Sequence, residues 1–398
     1  MFVAGLYFHI PFRTARRPYD DAYYITPVDA PSEPDVERFV RAIDAELRLY
    51  GREYAADEPV HTLYAGGGRP SLLSLKHART LLSTVVDVFD ASAFQESTAE
   101  ISPLDATESY LNGLLNVGFD RLSIEVLSFY ADELRTLKAP HTASAAIRAI
   151  RTVRHVGFRT FSVDLAFGWP EQSMDRWADN LQQVIDMEIP SVTLIECPME
   201  TTPSDLNATD DAPSRDAEIS RDAEMKRAKQ FRLAIDMLES HGYEAYELTH
   251  FAKPGHASSH LQNTYAHGSY IGVGPSAESF WWPDRAGDRS ARRWTNVSDV
   301  DEYTQLLKNR YPPVAYRQTS SWASLAREYI FLRLRTATGL NLIDLQNRYR
   351  YDVREKNSAL LNTLAENDLV AGLDNGYLRL TPAGRLVADG ITERLLPS

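Results

Sequence analysis

The sequence predicts an α/β protein: a partial barrel of six strand–helix units followed by a small C-terminal winged-helix-like domain. Three observations carry this expectation. Short β-branched or aromatic runs alternate with longer stretches of helical periodicity, six such units end near residue 200, and the chain changes character again near residue 321.

The strands are expected at Val3–His9, Val60–Tyr64, Ala99–Ser102, Arg121–Val126, Thr160–Leu165 and Ser191–Glu196. Helices are expected near 34–51, 71–90, 105–116, 130–137, 143–156, 174–187 and 222–241. Six units suit an incomplete barrel better than a closed eight-fold one. Thr201–Asp222 interrupts the alternation; it is rich in Asp, Ser, Thr and Pro, and Ser214–Ile219 is nearly repeated in Ser220–Met225. This reads as a solvated loop entering a helix, with Ser220 or Asp222 as its N-cap. Trp282–Arg293, with Pro, Gly and alternating charge, is a second break. Beyond it, helices are expected at Ser324–Thr336, Leu342–Tyr349 and Arg354–Glu366, then a hairpin over Leu369–Leu380 turning at Asp374-Asn-Gly376. Thr381-Pro382 opens a last helix with proline in its first turn. The chain thus divides into a core over 1–200, an acidic loop and barrel-extending segment over 201–320, and the helical, winged unit over 321–398.

Composition narrows the function. The 398 residues are 43% hydrophobic and 24% charged, with a formal net charge of −13. That balance excludes a general nucleic-acid binder, which needs clustered Lys and Arg against phosphates. The C-terminal helices carry mixed charge, so their winged shape does not mark a DNA reader. No apolar run has the length of a membrane span, and Met1–His9 has no basic leader or cleavage site, so a cytoplasmic location is expected. The single cysteine, Cys197, lies in an apolar run and reads as a small buried hydrophobe. Alone it holds neither a disulfide nor a zinc ion nor an iron–sulfur cluster.

Motifs concentrate at the expected strand ends. Gly5–Phe12 closes in His9-Ile-Pro-Phe12 and is followed by Arg13, Arg17 and Asp20. Tyr64-Ala-Gly-Gly-Gly-Arg-Pro-Ser71 places three glycines after a strand, where backbone N–H groups open to a ligand. Glu100-Ile-Ser-Pro103, Gly118–Phe129 and Asp164 follow at later strand ends, and His260-Leu-Gln-Asn-Thr-Tyr265 lies downstream.

In this order the motifs resemble the radical-SAM family of HemW and the oxygen-independent coproporphyrinogen oxidases, from residue 5 to about 396. The resemblance implies a radical-SAM-type barrel in which a C-x3-C-x2-C motif binds a 4Fe–4S cluster. Here its three cysteine positions are Arg13, Arg17 and Asp20, at preserved spacing. Guanidinium groups have no lone pair for iron, so no 4Fe–4S cluster and no radical chemistry are expected. The resemblance places the S-adenosylmethionine pocket at Tyr7, Gly67, Gly68, Glu100 and Asp164. Leu127 and Ala139 replace the family's glutamine and arginine contacts and Glu125 a glycine, so S-adenosylmethionine binding is not expected. His260 keeps the histidine of an H-N-x-x-Y-W motif associated with haem binding, and Tyr265 stands at its tryptophan.

The expectation is therefore a HemW-like pseudoenzyme that binds haem, another tetrapyrrole or a related anionic small molecule, and passes it to a receiving protein. Arg13, Arg16 and Arg17 either pair with Asp20 and Asp21 or form an anion site for carboxylates. One alternative is an enzyme reusing the barrel mouth, with Glu100, Glu125, Asp164 and His141 as acid–base groups. The other is a protein-binding regulatory paralogue.

Overall fold

The computed structural model describes residues 4–13, 32–54, 58–89, 94–197, 213–283 and 290–397, with the backbone alone over 213–221. Its first half alternates as anticipated: β1 (Ala4–Ile10), α1 (Glu33–Tyr54), β2 (Val60–Gly67), α2 (Leu75–Val88), β3 (Glu96–Ile101), α3 (Glu108–Val117), β4 (Arg121–Leu127), α4 (Ala131–Thr136), α5 (Ala143–Val156), β5 (Thr160–Phe167), α6 (Met174–Asp186) and β6 (Ser191–Glu196). Side-chain oxygens of Ser74, Thr107, Thr142 and Ser173 cap α2, α3, α5 and α6 by accepting an N–H from the first turn. β1 to β6 lie side by side and parallel, in chain order.

Then follow α7 (Pro213–Ser240), β7 (Glu244–Glu247), β8 (His250–Ala252), α8 (Ser259–Tyr265), β9 (Tyr270–Val273), β10 (Glu278–Trp281), β11 (Arg292–Asn296), α9 (Val300–Lys308) and β12 (Val314–Thr319). Among the described residues, twelve strands form one open sheet, ordered β12-β11-β10-β9-β1-β2-β3-β4-β5-β6-β8-β7. The six-stranded parallel core is thus extended at both edges. β9 runs parallel to β1, whereas β8 closes on β6 antiparallel. These edge strands are three to six residues long and were not legible as strands. α7 also begins at Pro213, earlier than expected, so Ser220 and Asp222 lie inside the helix and neither is its N-cap. The near-repeat is rich in Arg, Ala and Glu, and helix propensity prevails over its polar character.

The C-terminal part comprises α10 (Trp322–Leu334), β13 (Leu340–Asn341), α11 (Leu342–Tyr349), α12 (Val353–Glu366), β14 (Val370–Ala371), β15 (Tyr377–Leu380), α13 (Pro382–Arg385) and α14 (Ala388–Leu395). The β14–β15 wing turns through Gly376 at a φ of 78°, and Thr381 caps α13 with proline at its start. Its apolar core of Leu325, Ile330, Leu345, Leu361 and Leu378 is continuous with Leu248, Phe280 and Trp282 of the sheet extension. His267 sits at that seam, stacked on Phe280 and Tyr349 with its Nδ1 2.9 Å from the Tyr349 hydroxyl.

A polar pin joins the far edge. Glu46 of α1 accepts hydrogen bonds from the Gly274 N–H at 2.9 Å, the Asn296 amide at 2.6 Å and the Tyr303 hydroxyl. Burial pushes this carboxyl up to about 7.

Candidate functional site

The period of two along each core strand gives the sheet two chemically different faces. Leu6, Phe8, Ile10, Leu63, Leu122, Ile124, Val163 and Leu165 are buried in the hydrophobic core. Tyr7, His9, Tyr64, Glu100, Ser123, Ser162, Asp164 and Thr193 alternate with them along the strands and face the concave side. Their hydrogen bonds run across that side. The Tyr64 hydroxyl donates to Glu100 Oε1 at 2.8 Å, Ser162 to Ser123 at 3.0 Å, and Ser123 to Asp164 Oδ1 at 3.3 Å. Thr193 also donates to Asp164, and the Tyr7 hydroxyl lies 3.2 Å from His9 Nδ1.

The glycine triplet is largely spent on this network. The Gly67 N–H donates to Glu100 Oε2 at 3.1 Å and the Gly68 N–H to the Ile10 carbonyl at 2.6 Å. A Cβ on Gly68 would lie 2.3 Å from the Phe12 carbonyl oxygen, and Gly67 takes a φ of 99°, so close approach of the β1 end to the β2 end demands both glycines. Burial, with the Glu100 charge adding to it, pushes the Asp164 carboxyl up to about 7.

Arg13 is folded inward, 9% exposed. Its Nη2 donates to the Gly67 carbonyl at 3.4 Å and its Nη1 lies 4.0 Å from Glu125 Oε1. Arg13 thus faces Glu125, which the sequence reading had not paired with it. Arg16, Arg17, Asp20 and Asp21 lie outside the described residues.

Leu127 and Ala139, where the resemblance leads one to expect polar contacts, lie in apolar surroundings. Leu127, fully buried, packs with Leu134, Leu137, Ala166, Trp169 and Cys197, and Ala139 lies against the same cluster. Leu127 is held at a φ of 62°, where the β4–β5 register shifts. His141, a candidate acid–base group, is buried with Nε2 2.9 Å from the Val126 carbonyl, so it steadies the same strand end.

At the opposite end of the strands, α8 seals the concave side. Buried Glu96 accepts the Ser258 hydroxyl at 2.7 Å, the Ser259 N–H at 2.9 Å and the His260 N–H at 3.2 Å, a carboxylate on the N-terminal N–H groups of a helix. His260 is 6% exposed, with Nδ1 3.0 Å from the Thr62 hydroxyl and Cε1 packed against Gly5. Burial drives its pKa down to about 4, so the ring is neutral. Haem ligation by His260 requires α8 to leave this floor. Tyr265, at the other end of α8, is half-buried near His250, with ring centroids 6.3 Å apart. The remaining nearby histidines are also engaged: His256 Nδ1 lies 2.8 Å from the Thr160 hydroxyl, and His267 is enclosed at the C-terminal seam.

The donor set does not fit a 4Fe–4S cluster, which takes several thiolates. The chain has one cysteine, Cys197, whose buried thiol has its pKa pushed up to about 12. Arg13 at the end of β1 offers no soft donor.

Two features escaped the sequence reading. Glu96 sits in an alternating strand where nothing marks it as the anchor of a distant helix. His250 lies in a three-residue strand, and only the antiparallel register with β6 places it beside Thr193 on the concave face.

The sheet and its C-terminal appendage define a radical-SAM-type α/β fold. Residues 323–387 match the HemN C-terminal domain family. Over 274 residues, 69% of both chains, the sequence is 30% identical to the heme chaperone HemW of Escherichia coli. It is 27% identical over 393 residues to the heme chaperone HemW of Mycobacterium tuberculosis, covering 98% of this chain and 94% of that one. The solved coproporphyrinogen III oxidase (HemN) of Escherichia coli, described as a radical SAM enzyme, superposes with a TM-score of 0.75 at 20% identity, over 99% of this chain and 90% of that one. That likeness establishes the fold. The chain belongs to the HemW family. Among the described residues no helix is long and apolar enough to cross a membrane.

Proposed function

We propose that this protein is a cytoplasmic, cluster-free member of its family that binds haem or a related tetrapyrrole, delivers it to a receiving protein and performs no radical chemistry. The observation that carries the reading is a whole-length relationship to proteins called heme chaperones in a chain with a single, buried cysteine. The seat of the first expected cluster ligand is taken by Arg13, held against Gly67 and Glu125. Binding of an anionic tetrapyrrole needs no electron source, only a lined cavity and a ligand for iron. The polar face bearing Tyr7, Gly67, Gly68, Glu100 and Asp164, with Tyr265 at the end of α8, supports the reading as the lining of such a site. The Leu127–Ala139 corner, now apolar, argues against retention of S-adenosylmethionine, whose carboxylate wants a charged partner.

Hemin titration followed by absorbance tests the reading: a saturable Soret shift is expected, and a flat titration would end it. Calorimetry with S-adenosylmethionine is expected to show no heat of binding. Iron and sulfide after anaerobic cluster reconstitution are expected to stay at the level of a protein without cluster ligands.

A second reading rests on Asp164. A carboxyl pushed up to about 7 beside an acceptor such as Glu100 is suited to proton transfer near neutrality. In that case the face carries acid–base chemistry on its ligand, and Asp164→Asn is expected to lower turnover by far more than it weakens ligand binding.

A further inference from the structure

We infer that His250, on the same face of the sheet as Thr193, is the residue that ligates the iron of a bound haem. The inference rests on the haem-binding reading and specifies its ligand. Three independent features of geometry carry it. The first is orientation. His250 Nδ1 lies 2.8 Å from Glu247 Oε2 and 3.2 Å from the Thr249 hydroxyl, while among the described residues none hydrogen-bonds to Nε2. A carboxylate on one ring nitrogen fixes the ring, selects the tautomer with the lone pair on Nε2 and makes that nitrogen a better donor, the arrangement that supports histidine at metal centres.

The second is the stability of that carboxylate. Glu247 is fully buried, yet it accepts the Thr249 N–H at 2.8 Å and the Arg335 Nε–H at 2.8 Å, the latter from α10 of the C-terminal part. Arg335 thus holds Oε1 and leaves Oε2 to Thr249 and His250, so the carboxylate is fixed in place against the ring.

The third is place. The register Asp164↔Thr193 and Thr193↔His250 puts the three residues in one row across β5, β6 and β8, on the polar face of the sheet. The His250 side chain is 15% exposed, in contrast to enclosed His260 and His267. Tyr246 and Tyr265 flank it with ring centroids at 5.7 and 6.3 Å, aromatic walls suited to the face of a macrocycle.

Hemin titration of the wild type, His250→Ala, Glu247→Gln and His260→Ala tests this. His250→Ala is expected to lose the imidazole-ligated Soret band and to regain it with added imidazole. Glu247→Gln, which keeps the shape of the side chain, is expected to weaken hemin binding by about tenfold or more. His260→Ala is expected to keep the band, and thermal melts report whether each variant is folded. If wild type binds hemin and His250→Ala shows the same band, the assignment fails while the haem reading stands. A wild type that binds no hemin overturns both.

Discussion

Arg13 and Glu125 face each other across the mouth of the sheet, Nη1 to Oε1 at 4.0 Å, both mostly shielded from solvent. Each supplies a charge for the other at a place where the resemblance leads one to expect neither, a thiol in one case and a glycine in the other. A double-mutant cycle with Arg13→Met and Glu125→Gln is expected to give a coupling on the order of 1 kcal/mol in urea unfolding. A coupling of zero would mean that the two substitutions are independent of each other.

Leu127 combines full burial with a left-handed backbone. Leu127→Ala is expected to cost about 2–4 kcal/mol through the cavity it leaves. Leu127→Gly removes one carbon more but releases about 1–2 kcal/mol of backbone strain. The glycine variant is therefore expected to be no less stable than the alanine variant, reversing the usual order inside a strand. Paired denaturation curves decide it.

The buried titrating groups give opposing pH dependences. Asp164 and Glu46 are raised to about 7, so between about 4 and 7 the folded chain holds protons that the unfolded chain has lost, and each group's contribution to stability declines as pH rises. His260 is lowered to about 4, so between about 4 and 6.5 its contribution grows with pH. Asp164→Asn is expected to raise the melting temperature at pH 8 and to lose that advantage toward pH 4. His260→Asn is expected to flatten the acid limb. The same sign of change in both variants would contradict this reading.

Glu96 anchors the floor through three hydrogen bonds to the start of α8. Glu96→Ala leaves those donors buried and is expected to destabilise by about 3 kcal/mol or more. Hydrogen exchange is expected to show lost protection over residues 259–265 before any change in β1 or β2. Uniform loss across the chain would assign Glu96 a global role.

The parallel core was legible because long helices and short strands alternate with two distinct periods, and caps such as Thr142 and Ser173 stand at their boundaries. The edge strands were not, since three or four residues of β7, β8 or β10 carry no period of their own and acquire strand character only from the neighbour they pair with. The same divide runs through the site. Gly67, Glu100 and Asp164 announce themselves at strand ends, where motif and geometry coincide. The pairing of Arg13 with Glu125 spans more than a hundred residues of chain, and the Glu247–His250 contact depends on a turn between two short strands. The His260 motif was legible as a motif; its burial depends on Glu96, which sequence spacing does not connect to it.

Cys197 gives this chain a different relation to air. It is the one thiol in 398 residues, it is fully buried, and its proton is held to about pH 12. The thiolate is the form that oxidants and electrophiles attack, and here it is absent at any physiological pH. Aromatic disulfide reagents are expected to find no sulfur in the native protein and one after denaturation. Oxygen and electrophiles therefore meet a native fold that offers them no reactive sulfur.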